Sequence, residues 1–342
     1  PLLLGYANEA VDRAAAAQAA RGALLSLNHP LHLDFIERLV ARFPGAEMGV
    51  WFKTGSEATT AALRVARRHT GRRKVARAGY HGWHDWCLPL EDSVPAGLAE
   101  QVPEFDARDP GTLAAVLEAN PGQIAAVIVA PEMVLPLRRE TLGAIGALAR
   151  HHGAVFVLDE VKTAFRTEGG SIQAMLDLVP PDLTTVSKAL GNGWPIAALV
   201  GRREVMQSGA GLHYSATFHG DTAAMAAAMA VLDVLDREDV AGHLRRLGER
   251  LIEGLNDAAR AAGVPVEAYG EPVPAMPFLR FAHPDAATNE RVKEAFYAAM
   301  CDRGVLLHPR HMWFLSYAHG DADVARALAA AGEAMAIAAR LV

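Results

Sequence analysis

Cysteine is scarce in this chain of 342 residues: Cys87 and Cys301 are the only two. Two thiols cannot build a disulfide framework, and the expected setting is a reducing, cytoplasmic one. Basic excess is missing too. Lys and Arg number 33 against 39 Asp and Glu, a formal charge of −6, so neither nucleic acid nor an anionic membrane surface is an expected partner. No apolar run reaches the roughly 18 residues that a membrane-spanning helix needs. The 14 histidines show no metal-ligand spacing; His151 and His152 are adjacent, and no His-Glu-x-x-His occurs, so no metal is expected. No secretory leader is visible, although the chain starts at Pro1 without a methionine. Internal repeats and low-complexity tracts are also lacking, and the Ala-rich stretches read as helix.

What is present is alternation. Strand-like runs fall at Gly49–Lys53, Lys74–Arg77, Ile124–Ala130, Ala154–Leu158, Leu183–Val186 and Ile196–Val200. Helical patterns separate most of them, at Glu57–Thr70, Thr112–Glu118, Glu140–His152 and Ser171–Leu178. Val- and Ile-rich strands spaced by helices predict an α/β fold: a mostly parallel central sheet with helices on both faces. After an Ala-rich helix at Thr222–Leu235 the pattern changes. Charged helix (Arg237–Ala262), a Pro-rich linking stretch (Gly263–Pro277), a strand at Phe278–Ala282 and two more helices (Asn289–Arg303, Asp321–Leu341) predict a smaller α+β C-terminal domain. The expected boundaries are 26–235 for the large domain and 236–342 for the small one. Residues 1–25, with a helix near Asn8–Arg21, are expected to pack on the small domain.

Two strand ends carry the chemistry. Val155-Phe156-Val157-Leu158 ends in Asp159, and the run at Leu183–Val186 leads into Ser187-Lys188-Ala189-Leu190-Gly191, 29 residues further on. Ligands of parallel sheets gather at the carboxyl ends of strands. A lysine at one strand end is ordinarily solvated, and an acid at another ordinarily opens a loop. An amine and a carboxylate delivered together suit pyridoxal phosphate (PLP), which needs a lysine to hold its aldehyde and an acid to keep its ring nitrogen protonated.

Other motifs extend the pattern. Gly55-Ser56-Glu57 follows a strand and opens a helix, where free N–H groups and the positive dipole end suit a phosphate; a plain N-cap by Thr54 or Ser56 fits the same residues. Tyr80-His81-Gly82 follows another strand, and a tyrosine ring there suits a flat cofactor or an ordinary core. Thr217-Phe218-His219-Gly220 precedes the Ala-rich helix as a phosphate loop or a capping loop.

Together these segments resemble the class III, fold type I PLP-dependent aminotransferases, closest to the glutamate-1-semialdehyde aminomutase-like branch. The likeness runs from Gly5 to near the C-terminus and is best over Thr54–Trp86, Phe156–Met206 and Ala216–Met225. It implies PLP on Lys188, its ring nitrogen at Asp159, its faces against Tyr80 and Val161, and its phosphate at Gly55, Ser56 and Glu57. His81 joins the same site. Thr217 matches a threonine that reaches the phosphate of the neighbouring subunit, which implies a homodimer. The implied reaction moves an amino group between an amine and a carbonyl compound, in biosynthesis of an amino sugar, an amino acid or another specialised metabolite.

The sequence departs from that family in places. Several dozen residues that usually precede the segment near Pro1 are absent. A common Glu-Pro after the third strand is Ala130-Pro131-Glu132 here, with the carboxylate displaced by two positions, so that either Glu132 substitutes for the family's glutamate or that role is lost. The stretch Leu88–Pro103 is too short for the aminomutase loop, which favours an aminotransferase over an aminomutase or an amino-acid racemase. Trp83, Trp86, Trp194 and Trp313 are candidate aromatics of the site mouth, with ordinary packing the alternative. Arg310, beside His311, is a candidate partner of a substrate carboxylate.

Overall fold

The Val- and Ile-rich runs pair into one sheet. In the computed structural model, which describes residues 1–87, 93–133, 137–270 and 273–342, the sheet has six strands. They are β1 (Met48–Phe52), β2 (Lys74–Ala78), β3 (Ile124–Val129), β4 (Val155–Asp159), β5 (Leu183–Val186) and β6 (Ala197–Gly201), in the order β1-β6-β5-β4-β3-β2. β2, β3, β4 and β5 pair in parallel, while β6 is antiparallel to both β5 and β1. The carboxyl ends of β1 to β5 therefore point one way, and β6 alone runs against them.

Strand alternation divides the two faces. Val155, Val157 and Leu183 join a core cluster with Ala58, Ala62 and Val65 of the helix that follows β1, whereas Phe156 meets Gly146 on the opposite face. Asp159 and Thr185 keep the parity of Val157 and Leu183, so both side chains belong to the face covered by the helix after β1.

The chain divides into two units, Tyr6–Glu238 and Pro1–Gly5 with Asp239–Val342. The larger unit holds the sheet and helices α1 (Glu9–Ala19), α2 (Pro30–Val40), α3 (Gly55–Thr70), α4 (Pro110–Ala119), α5 (Arg139–His151), α6 (Ile172–Met175), α7 (Arg203–Met206) and α8 (Thr222–Arg237). The smaller unit holds α9 (Val240–Ala262), a β7 (Val266–Tyr269) and β8 (Phe278–Phe281) antiparallel pair, α10 (Ala286–Asp302) and α11 (Asp321–Ala338). Its N-terminal strand of chain is tied in where the Tyr317 N–H donates to the Leu3 carbonyl at 2.7 Å. Among the described residues no helix is long and apolar enough to cross a membrane.

Three expectations need correction. The opening helix does not join the small domain: α1 packs on α8 inside the larger unit, burying Val11 and Ala15, with Gln18 Nε2 donating to Thr222 Oγ1 at 3.1 Å. The helix expected over Ser171–Leu178 is only the single turn α6, because the chain leaves it at Leu176 and Asp177 takes a left-handed φ of 46°. The Pro-rich linking stretch contains β7, a strand of four residues too short to show a period. Residues 271–272 of that stretch, and 88–92 of the stretch Leu88–Pro103, lie outside the described residues.

Candidate active site

Each of the five strands that point the same way delivers a residue to one cavity of about 290 Å³. Gly55 and Ser56 come from the turn after β1, Tyr80 and His81 from the turn after β2, and Glu132 from beyond β3. Asp159, Val161 and Lys162 come from β4 and its connection, and Lys188 from the turn after β5. The volume is at the small end of the range of about 300–1,000 Å³ usual for ligand pockets.

Lys188 sits two residues past β5 with φ 42°, in the left-handed region. Holding a non-glycine residue there costs about 1–3 kcal/mol and marks a conformation imposed by its surroundings. Its amine is pushed below the ordinary lysine value, first by burial and then by the ammonium of Lys162. A lysine with a lowered pKa has more of the neutral, nucleophilic form at neutral pH.

Asp159 is buried at the end of β4. The Nδ1–H of His81 donates to its Oδ2 at 2.7 Å, the tautomer that an ionised carboxylate selects. Its Oδ1 accepts from the Thr185 hydroxyl at 2.9 Å and from the Val161 N–H at 3.1 Å. Thr185 is its register partner on β5, so sheet pairing sets this bond. Burial alone would raise the carboxyl pKa, but the hydrogen bonds outweigh it and hold the group below the usual range. His81 lies against Trp86 at 6.0 Å between ring centroids, and its Nε2 has no hydrogen-bond partner among the described residues.

The start of α3 forms the cavity's opposite wall. Thr54 is its N-cap, and with Glu57 it makes a capping box: the Thr54 hydroxyl accepts from the Glu57 N–H at 3.2 Å, and Glu57 Oε2 accepts from the Thr54 N–H at 2.8 Å. Such a cap is worth about 1 kcal/mol. Glu57, expected at the phosphate, also closes this cap. Its carboxylate serves the cap and the Lys53 N–H, and the cavity is lined by Gly55 and Ser56. Gly82 has φ 117°, and a Cβ there would stand 2.3 Å from Ser56 Oγ. The glycine thus leaves room for that hydroxyl at the helix start. A Cβ on Gly55 would stand 2.8 Å from Val161 Cγ1, so the helix end and the β4 connection are in close contact.

Thr217 is exposed and outside this cavity's lining. Of the aromatics expected at the mouth, only Trp83 is broadly exposed in the larger unit, at 74%. Trp86 is core and donates from Nε1 to Thr60 Oγ1, and Trp194 donates to Asp12 at 3.1 Å. Trp313 and Arg310 belong to the smaller unit, where Trp313 Nε1 donates to the His308 carbonyl at 3.0 Å and Arg310 is exposed. Lys53, Ser187 and Lys162 also line the cavity although the sequence did not single them out, and so does Glu132, the displaced carboxylate noted above; Lys162 and Glu132 form a pair. Their side chains are 9% and 6% exposed, and Lys162 Nζ stands 2.6 Å from Glu132 Oε1. Lys162 is three residues past Asp159, a spacing that would have pointed to it had the connection been read as part of the site.

The family model for class-III aminotransferases matches residues 1–317. The chain belongs to the class-III aminotransferases. It is an enzyme of the family whose cofactor is PLP. Its relatives include a 3-aminobutyryl-CoA aminotransferase of Cloacimonas acidaminovorans, 33% identical over 98% of this chain and 82% of that protein. A 2'-deamino-2'-hydroxyneamine transaminase of Streptomyces kanamyceticus is 36% identical over 97% and 84%. A glutamate-1-semialdehyde 2,1-aminomutase of Anaeromyxobacter dehalogenans is 36% identical over 100% and 85%. Among solved structures, the PLP internal aldimine form of the FumI protein of Sphingopyxis sp. MTA144 superposes with a TM-score of 0.91 at 28% identity, covering 98% of this chain and 81% of that one. The α/β, fold type I architecture expected from the sequence is the one found.

The cavity fits PLP. It offers a helix N-terminus with Ser56 beside it for a phosphate, a buried ionised carboxylate for a ring nitrogen, Tyr80 and Val161 for the ring, and a lysine amine of lowered pKa for an aldehyde.

Proposed function

We propose that this class-III aminotransferase holds PLP through Lys188 and Asp159, and that Lys188 is also the base that moves the substrate proton. The observation that carries this is the shared cavity: an ionised Asp159 fixed by His81, Thr185 and Val161, and Lys188 held in a left-handed turn beside it. PLP, when bound, supplies the electron sink that makes the proton next to a substrate amine removable. In this reading the Lys188 amine takes that proton and returns it. Asp159 stays ionised and so favours a positive charge on whatever nitrogen faces it. Gly55, Ser56 and the free N–H groups of α3 take the phosphate, and Tyr80 and Val161 confine the ring.

Thr217 supports a homodimer: it is exposed and stands outside the Lys188 cavity of its own chain, as a residue serving the partner's phosphate would be, while Ala216 and His219 beside it line a second pocket. The substrates are a small amine and a small carbonyl compound, and the neamine-type relative supports a biosynthetic role on an amino sugar. The aminomutase relatives fit a second reading on the same scaffold. Turnover decides between the two. An aminotransferase stalls after one round unless an amino acceptor is added, whereas a mutase turns over on one substrate.

Asp159→Asn is the variant that tests the arrangement. An amide cannot favour a charged ring nitrogen, so the variant should keep its fold by circular dichroism and lose most of its transamination rate, by about 100-fold or more. Near-normal activity would show that Asp159 does not face the ring.

A further inference from the structure

Glu132 and Lys162 line the cavity, yet the roles assigned above make no use of them. Both side chains are more than nine-tenths buried, and their charges stand 2.6 Å apart. Nevertheless, neither oxygen of Glu132 has a well-aligned hydrogen bond among the described residues. The pair is balanced in charge, while the carboxylate is unsatisfied in hydrogen bonding. Buried carboxylate oxygens are ordinarily paired, and one left open inside a ligand cavity calls for a donor from the ligand. Lys162 is held from its other side by the Tyr80 ring, 5.5 Å from Nζ to the centroid.

A carboxylate accepts and cannot donate. The group that completes it is therefore a hydroxyl or an ammonium. A substrate carboxylate at the same place would meet the like charge of Glu132, and the nearby cation, Lys162, is already matched. With Lys188 lining the same small cavity, the completing group lies within a few atoms of the reacting carbon.

We propose that Glu132 is a specificity-determining residue that accepts a hydrogen bond from a hydroxyl or second amino group close to the reactive amine of the substrate, and that Lys162 positions it. The substrate class is that of amino alcohols and vicinal diamines, including amino sugars and amino cyclitols. This rests on the aminotransferase reading above.

The test uses the PLP-loaded full chain in single-turnover reactions, followed by the change in visible absorbance of the bound cofactor. 1-Amino-2-propanol is compared with isobutylamine, in which a methyl replaces the hydroxyl, and with 1,2-diaminopropane. The hydroxyl and diamine substrates should react with a rate constant over apparent Kd about 10- to 100-fold higher than isobutylamine, the value of a hydrogen bond to a buried charge. In the double variant Glu132→Leu, Lys162→Met, which strands no cation, that ratio should fall toward one. A merely structural role would lower all three rates together and leave the ratio in place. Equal rates in the wild type, or a ratio unchanged in the double variant, overturn the proposal. If no amine changes the absorbance of the wild type, the aminotransferase reading itself fails, and this proposal with it.

Discussion

At the scale of single residues, the site depends on backbone positions as much as on titrating groups. Gly82 is the clearest case. Its φ of 117° is one that side-chain-bearing residues rarely adopt, and a Cβ would collide with Ser56 Oγ. Gly82→Ala should therefore destabilise the turn by about 1–3 kcal/mol and move Ser56 from the start of α3. The expected result is faster loss of PLP on dialysis than from the wild type, measured by residual absorbance; unchanged retention would separate Gly82 from the phosphate site. That Lys188 and Asp159 share one cavity was legible in the sequence, because each stands at the end of an apolar run. Lys162 was not, because a lysine inside a connection looks like a solvated residue until the fold closes over it.

At the scale of elements, the connection from β4 to α6 is organised by a second buried acid, Glu160. It accepts from the Ile172 N–H at 2.8 Å and from the Thr163 hydroxyl at 3.1 Å. Burial nevertheless pushes its carboxyl up to about 7, from an ordinary 4.5. A folded-state pKa above the unfolded one gives stability that is complete below the unfolded value and is lost as pH rises through the folded value. Wild-type stability relative to Glu160→Gln should thus be highest below about pH 4.5, decline as the pH rises from there to about 7, and level off above it. Thermal unfolding of both proteins at several pH values checks this, and a difference that grows with pH would contradict it. The strands of the large sheet and most of the longer helices were readable from apolar runs and helical spacing, but α2, at Pro30–Val40, was not among those expected. β7 and the single turn α6 were not, since four residues carry too little periodicity. Glu57 was open to two readings because a capping box and a phosphate loop use the same residue types at the same spacing.

At the scale of the whole molecule, the sequence pattern pointed to a mostly parallel sheet followed by a smaller unit, and the sheet is as expected. The placement of the opening helix was not legible: its buried stripe is only Val11, Ala15 and Gln18, too short to select one partner helix over another. The homodimer proposed from Thr217 has a direct functional test. Lys188→Ala and Thr217→Asp, each inactive alone, should recover part of the activity when refolded together, because one of the two sites in a mixed dimer would be intact. A fully active monomer would exclude the shared site. The central claim is that Lys188 carries the cofactor, and borohydride reduction of the PLP-loaded chain followed by peptide mapping tests it most directly. The predicted result is a single pyridoxyl label on Lys188, absent from Lys188→Ala; a label on Lys162, Lys53 or any other lysine would contradict it.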